Sequence, residues 1–288
     1  MTRHRHRLSL LLAATLLPLA LSAGCGNGTP AGVDNLPAAG HAREGDVLTA
    51  VRSKGVLRVA NTQANPPYSM VDKSNHVVGF DVDVANEVAK RLGVTKVEFV
   101  VGTFQTFIPG LQAGKWDAVV AGLTVTEERK KQVDFSCPYQ VNGVSIFVAD
   151  GNPTISTEAD LAGKRVAVSA GTKQEEQARA INGAKVLTYD NSTLALKDVA
   201  TGRADAYIGS KFTGAYLAEQ NGLTVKPVSG YLSSEVNAMA FPKGQQELTK
   251  AADNALADMI SDGTLSEISR HWLGGLDVAT ELRRKAAC

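Results

Sequence analysis

Along most of the chain, short apolar runs alternate with stretches whose apolar residues recur at helical spacing. The pattern predicts a strand over 56–61 and then a helix over 80–92, with Phe80, Val84, Val88 and Leu92 on one face. Gly93 stops that helix, and a strand over 97–101 follows. Phe104, Phe107, Ile108 and Leu111 mark a second helix, closed by Gly114. An apolar strand over 118–121 then opens into the turn Gly122-Leu123-Thr124, and Thr126 is placed to cap a helix with Glu127 and Glu128 in its first turn. Strands are expected over 143–149, 165–168, 185–188 and 206–208. Helices are expected from a capping box at Thr157, from near Thr172, and over 191–201 and 212–220. Leu248, Ala252, Ala255 and Met259 line a long helix, and Leu265, Ile268 and Trp272 a shorter one after it. Regular strand–helix alternation of this kind predicts an α/β fold.

One string occurs twice in related form. Gly114-Lys115-Trp116-Asp117-Ala118-Val119-Val120-Ala121-Gly122 resembles Gly202-Arg203-Ala204-Asp205-Ala206-Tyr207-Ile208-Gly209-Ser210. Each has a glycine helix stop, a basic residue and an acid around a turn, and an apolar strand ending in small residues. We read two similar α/β lobes from this, with Gly122 and Ser210 at equivalent strand ends lining one cleft. Arg129, just past the first of these turns, can fork onto a carboxylate through two parallel hydrogen bonds. A pocket for a small anion or zwitterion is expected there.

Composition narrows the classes. The chain has 288 residues, 44% apolar and 20% charged, which suits a globular protein. A net charge of +1 leaves no electrostatic footprint for nucleic acid. The first basic residues, 3–7, are followed by an apolar run over 8–21 that is short for a bilayer span, so 1–24 reads as a signal peptide. Ala23-Gly24-Cys25 resembles a lipobox, although Ser22 stands where an aliphatic residue is usual; Cys25 is the expected lipid attachment. Residues 25–45, rich in Gly, Pro, Ala and Asn, suit a flexible tether. Of three cysteines, Cys137 and Cys288 then remain, an even pair in an oxidising compartment that could form a disulfide. His76 and His271 are isolated, and neither metal-ligand spacing nor a nucleotide or nucleophile-elbow fingerprint occurs in a fitting context, so no metal, cofactor or catalytic residue is expected.

Asn65-Pro66-Pro67-Tyr68, Gly79-Phe80-Asp81-Val82-Asp83, Ile108-Pro109-Gly110-Leu111, the run from Gly122 to Arg129, Val133-Asp134-Phe135-Ser136, Leu161-Ala162-Gly163-Lys164, Ala170-Gly171-Thr172 and Asp262-Gly263-Thr264 occur in order. Over roughly 48–274 the chain thereby resembles the bacterial extracellular solute-binding proteins of family 3, which serve ABC importers for polar amino acids. The resemblance implies a type II periplasmic-binding-protein fold, two α/β lobes on a two-strand hinge that close on ligand. Lobe one would span 46–140 with a return over 237–274, lobe two 141–236, and 275–288 would be a C-terminal tail. The hinges would fall near 139–143 and 234–237. It further implies a monomeric, non-enzymatic receptor, exported and lipid-anchored to the outer face of the cell membrane, that hands a small zwitterion to a membrane permease.

Residue by residue, the resemblance gives Arg129 the ligand carboxylate, Gly122 and Thr124 backbone and hydroxyl contacts, Thr172 a contact at a helix start in lobe two, and Phe104 a wall against the ligand; Ser169 is a further candidate. Two positions depart. Ser210 stands where many members carry an aspartate for the α-ammonium, and Asn65 where several carry an aromatic lid. Either another acid reaches the site, Glu235 being the nearest choice, or the ligand is an ectoine-like compatible solute. A rival of another class is an exported cyclohexadienyl dehydratase with Glu175 as its acid or base. A sensor module docking a signalling partner is a third. Asp81 and Asp83 read as ordinary helix-start residues.

Overall fold

The computed structural model describes residues 45–228 and 230–284; the signal segment 1–24, the acylation site Cys25, the tether as far as residue 44, and Cys288 lie outside the described residues. Helix α1 (Val47–Lys54) leads into β1 (Val56–Asn61). A small antiparallel sheet of β2 (Ala64–Asn65), β3 (Ser69–Val71) and β4 (Val77–Val78) follows, then α2 (Phe80–Arg91), β5 (Lys96–Val101), α3 (Phe104–Gln112) and β6 (Ala118–Val119). The short α4 (Glu127–Lys130) precedes a long strand, β7 (Val133–Ala149). Next come β8 (Arg165–Ser169), α5 (Lys173–Ala180), β9 (Lys185–Tyr189), α6 (Ser192–Ala200), β10 (Ala206–Ser210), α7 (Lys211–Asn221) and β11 (Val225–Pro227). Strand β12 (Ser233–Pro242) returns to the first half, and α8 (Gln246–Ser261), α9 (Thr264–Trp272) and α10 (Val278–Arg284) complete it.

The main sheet runs β5-β1-β6-β12-β7-β10-β8-β9, an order that reads alike from either end. On one side β1 lies parallel between β5 and β6; on the other, β8 lies parallel between β9 and β10. The antiparallel strands β7 and β12 run between the halves, which makes two lobes on a two-strand hinge.

The repeated string has a physical basis. Asp117 accepts from the Arg58 backbone N–H at 3.0 Å and from its guanidinium at 2.7 Å; Asp205 does the same for Arg165 at 2.7 and 2.6 Å. In each lobe the acid before the third strand thus pins the start of the first.

Lobe one buries Val84 and Val88 of α2 against Leu248, Met259 and Leu265, and lobe two buries Ile146, Val166, Val168 and Ile208. Three elements differ from the pattern. β7 is one strand over Val133–Ala149, where only 143–149 was expected, because Asp134, Ser136 and Pro138 interrupt its apolar alternation. Register shifts against β12 next to Ala238, the partner of Pro138, accommodate that proline. The segment read as a C-terminal tail contains α10, which buries Val278, Ala279 and Leu282 against lobe one. Helix α1 has no strong apolar stripe, and is set by Asp46, whose side chain accepts from the Leu48 and Thr49 N–H groups.

Candidate functional site

After β6 the chain turns at Gly122, whose φ of 62° lies in the left-handed region. The turn is strapped to β12 by Ala238 N donating to Leu123 O at 3.2 Å and Val125 N donating to Val236 O at 3.1 Å. Thr126 caps α4 by accepting from the Arg129 N–H at 3.2 Å, which folds the arginine side chain back under the turn. There Arg129 is 8% exposed and donates through Nη1 to Thr124 O at 2.8 Å and through Nη2 to Gly171 O at 3.1 Å. Burial draws its guanidinium below the ordinary arginine value, opposed by the charges of Glu176 and Glu235.

Lobe two supplies the facing wall. Thr172 caps α5, accepting from Glu175 N at 3.2 Å, and donates its own proton to Ser169 O at 2.6 Å. Ser169 Oγ lies 3.3 Å from Ser192 Oγ, which accepts from Tyr207 at 2.8 Å. Ser210 caps α7 and lies 3.1 Å from the hydroxyl of Tyr68 in lobe one. Thr213 donates to Asn65 Oδ1 at 3.1 Å, another link across the lobes beside Arg129–Gly171 and Tyr68–Ser210.

All eight ligand-contact candidates, Asn65, Phe104, Gly122, Thr124, Arg129, Ser169, Thr172 and Ser210, line one tight cavity of about 40 Å³ between the lobes. Among the described residues, the cavity wall carries two cationic side chains, Arg129 and Lys173, and no carboxylate. Two details differ from expectation. The Gly122 N–H is taken by the Tyr139 hydroxyl at 3.0 Å, so it is not a free donor to the cavity. The Thr124 hydroxyl donates to Glu235 Oε2 at 3.0 Å and turns lone pairs, not its proton, to the cavity. Glu175 is not on the wall; its carboxylate accepts from Gly171 N at 2.7 Å and from Arg179. Sequence reasoning missed Tyr68, Asn142, Gln174, Tyr207 and Asn237 as lining residues. The signal that could have found the asparagines is the alternate spacing of polar residues, Gln140 with Asn142 and Glu235 with Asn237, which puts each pair on one face of its strand.

Asp81 and Asp83 serve the frame, not the wall. Asp83 accepts from Trp272 Nε1 at 2.6 Å. Asp81 is fully buried, accepts from the Tyr139 hydroxyl at 2.8 Å, and so holds the group that holds Gly122. Desolvation raises its carboxyl from 3.8 to about 7, partly offset by the Tyr139 hydrogen bond. Because the folded value lies above the unfolded one, this stabilising contribution is complete below pH 3.8 and is lost as pH rises through about 7. Asp81→Asn keeps an acceptor for Tyr139 and removes the titration. Urea unfolding is expected to show the variant more stable than wild type at pH 8, by on the order of 4 kcal/mol, with less than half of that gap at pH 5 and near equality only below pH 3.8.

Residues 57–275 match the family model of bacterial extracellular solute-binding proteins, family 3. The chain belongs to that family. Among family-3 relatives, the L-cystine-binding protein TcyJ of Escherichia coli (strain K12) is 34% identical over 230 residues, which is 79% of this chain and 86% of TcyJ. An ancestral arginine-binding protein solved with arginine superposes with a TM-score of 0.73 at 41% identity, covering 76% of this chain and 98% of that one. The ancestral amino acid-binding protein AncCDT-1, a precursor of cyclohexadienyl dehydratase, does so with a TM-score of 0.73 at 38% identity, covering 80% of this chain and 100% of that one. These family-3 neighbours share the two-lobe arrangement, and the cavity lies where its two halves meet.

Proposed function

We propose that this chain is the capture component of an ABC importer: it takes one amino acid into the interlobe cavity and delivers it to a membrane permease. The observation that carries the reading is Arg129. A guanidinium has five N–H donors, and two of Arg129's are engaged by Thr124 O and Gly171 O. The others, with Lys173 on the same wall and no carboxylate lining it among the described residues, call for a ligand carboxylate. Gly171 belongs to lobe two, so the residue that would grip the ligand also touches both halves. A ligand bridging them favours the closed form by its differential affinity.

The relatives bind cystine and arginine, which supports an α-amino acid over a compatible solute. The dehydratase alternative is not favoured, since Glu175 is committed to Gly171 and Arg179 and the AncCDT-1 neighbour is itself an amino acid-binding protein. On our reading the eight wall residues contact the ligand, the protein is exported as a monomer, and acylated Cys25 anchors it to the outer face of the cell membrane. Cys137 is disulfide-bonded, and with Cys25 acylated we assign Cys288 as its partner. Calorimetric titration with the twenty common L-amino acids and L-cystine tests the reading. Saturable one-to-one binding of at least one is expected, and silence from all of them would end it.

A further inference from the structure

We propose that the floor of the cavity, where β7 and β12 pass between the lobes, is a subsite for the ligand's ammonium group, with Glu235 as the positioning residue behind it. The inference rests on the amino-acid reading above and names where the cationic end goes when position 210 offers no carboxylate.

The strand register sets Gln140 opposite Asn237 and Asn142 opposite Glu235. Strand side chains alternate, so these pairs share one face of the ribbon, and Asn142 and Asn237 line the cavity. They are 6% and 2% exposed. Asn237 Nδ2 donates to Gln140 Oε1 at 2.9 Å, which leaves Asn237 Oδ1 with no donor among the described residues; Asn142 Oδ1 has none either. A buried carbonyl oxygen left without a donor is unfavourable, and here two such oxygens sit on one wall.

Glu235, 9% exposed, organises the rest. Its Oε2 accepts from Thr124 Oγ1 at 3.0 Å and from Gln174 Nε2 at 2.7 Å, and Oε1 has no described partner. An ionised carboxylate only accepts, so it consumes the Thr124 proton and leaves that oxygen's lone pairs for the cavity. Three residues of the floor, Thr124, Asn142 and Asn237, therefore bring acceptor oxygens next to a buried negative charge, the two amide oxygens being buried and without a donor among the described residues. A primary ammonium is the complementary group: three donors and no acceptor. Arg129 and Lys173, whose charges act on Glu235, line the same cavity, so it holds groups for both charges of a zwitterion.

Wild type and Glu235→Gln are titrated calorimetrically with the twenty common L-amino acids and L-cystine, and the tightest binder is compared with its des-amino acid. Wild type is expected to prefer the amino acid by about 100-fold or more. In Glu235→Gln the amino acid should weaken by about 10- to 100-fold while the des-amino acid is unchanged, so the preference collapses. Thr124→Val, which removes the relaying hydroxyl, should give the same pattern and serves if Glu235→Gln does not fold. Equal weakening of both ligands would make Glu235 merely structural, and an undiminished preference would place the ammonium elsewhere; either overturns the subsite alone. Equal wild-type affinity for the two ligands would mean that water satisfies the floor, and also overturns it. A wild type that binds no amino acid removes the amino-acid reading and the subsite together.

Discussion

Arg129→Ala is expected to weaken amino-acid binding by roughly 10²- to 10³-fold, the scale of removing one partner from a buried, forked ion pair. The guanidinium is 8% exposed on the cavity wall, so a ligand carboxylate left without it would be desolvated and unpaired. The ligand-free protein should melt somewhat below wild type, because the carbonyls of Thr124 and Gly171 lose a donor and the buried Glu235 loses a nearby positive charge. Arg129→Lys keeps the charge but not the planar fork, and should recover only part of the affinity. Calorimetry gives the affinities and a thermal melt gives the stability. Wild-type affinity in Arg129→Ala would remove the carboxylate grip from the mechanism.

Gly171→Ala is expected to separate closure from folding. A Cβ at Gly171 would lie 2.7 Å from Gln105 N and 2.8 Å from Gln105 Cγ, across the lobes. Its φ of 75° adds a backbone cost of about 1–2 kcal/mol for any side chain. That cost is local and acts whether the lobes are open or closed, so it should appear as a lower melting temperature in the free protein. The clash with Gln105 exists only where the lobes meet. Overpacking of this sort costs about 1–3 kcal/mol, which converts to roughly 5- to 150-fold weaker binding. Small-angle scattering should then show less compaction on adding ligand than in wild type. Full affinity and full compaction in the variant would mean that Gly171 and Gln105 do not approach during binding.

Much of the fold was legible because its signals are local. The repeated string carried Asp117 and Asp205, and both proved to hold the first strand of their lobe through Arg58 and Arg165. The turn at Gly122 and the cap at Thr126 were legible for the same reason: a left-handed glycine, a threonine and an arginine stand within a few residues, and they bring Arg129 to the cavity wall. The hydrogen-bond states of the site were not legible, since they depend on partners remote in sequence. Gly122 gives its N–H to Tyr139, and Thr124 gives its proton to Glu235, 111 positions away. The floor joins Gln140 and Asn237 across 97 positions, and nothing local to either residue points to the other. Only the antiparallel register of β7 and β12 makes one site of them. The early half of β7 was hidden by Asp134, Ser136 and Pro138, whose places are set by pairing with β12 rather than by burial alternation.

Everything proposed for this protein depends on a ligand carboxylate meeting the Arg129 side chain inside the closed cavity. The most direct measurement is a pair of calorimetric titrations of wild type, one with its tightest amino acid and one with the decarboxylated amine of that same molecule. A carboxylate grip at Arg129 predicts saturable binding of the first and no measurable binding of the second. Equal affinity for the two would contradict it.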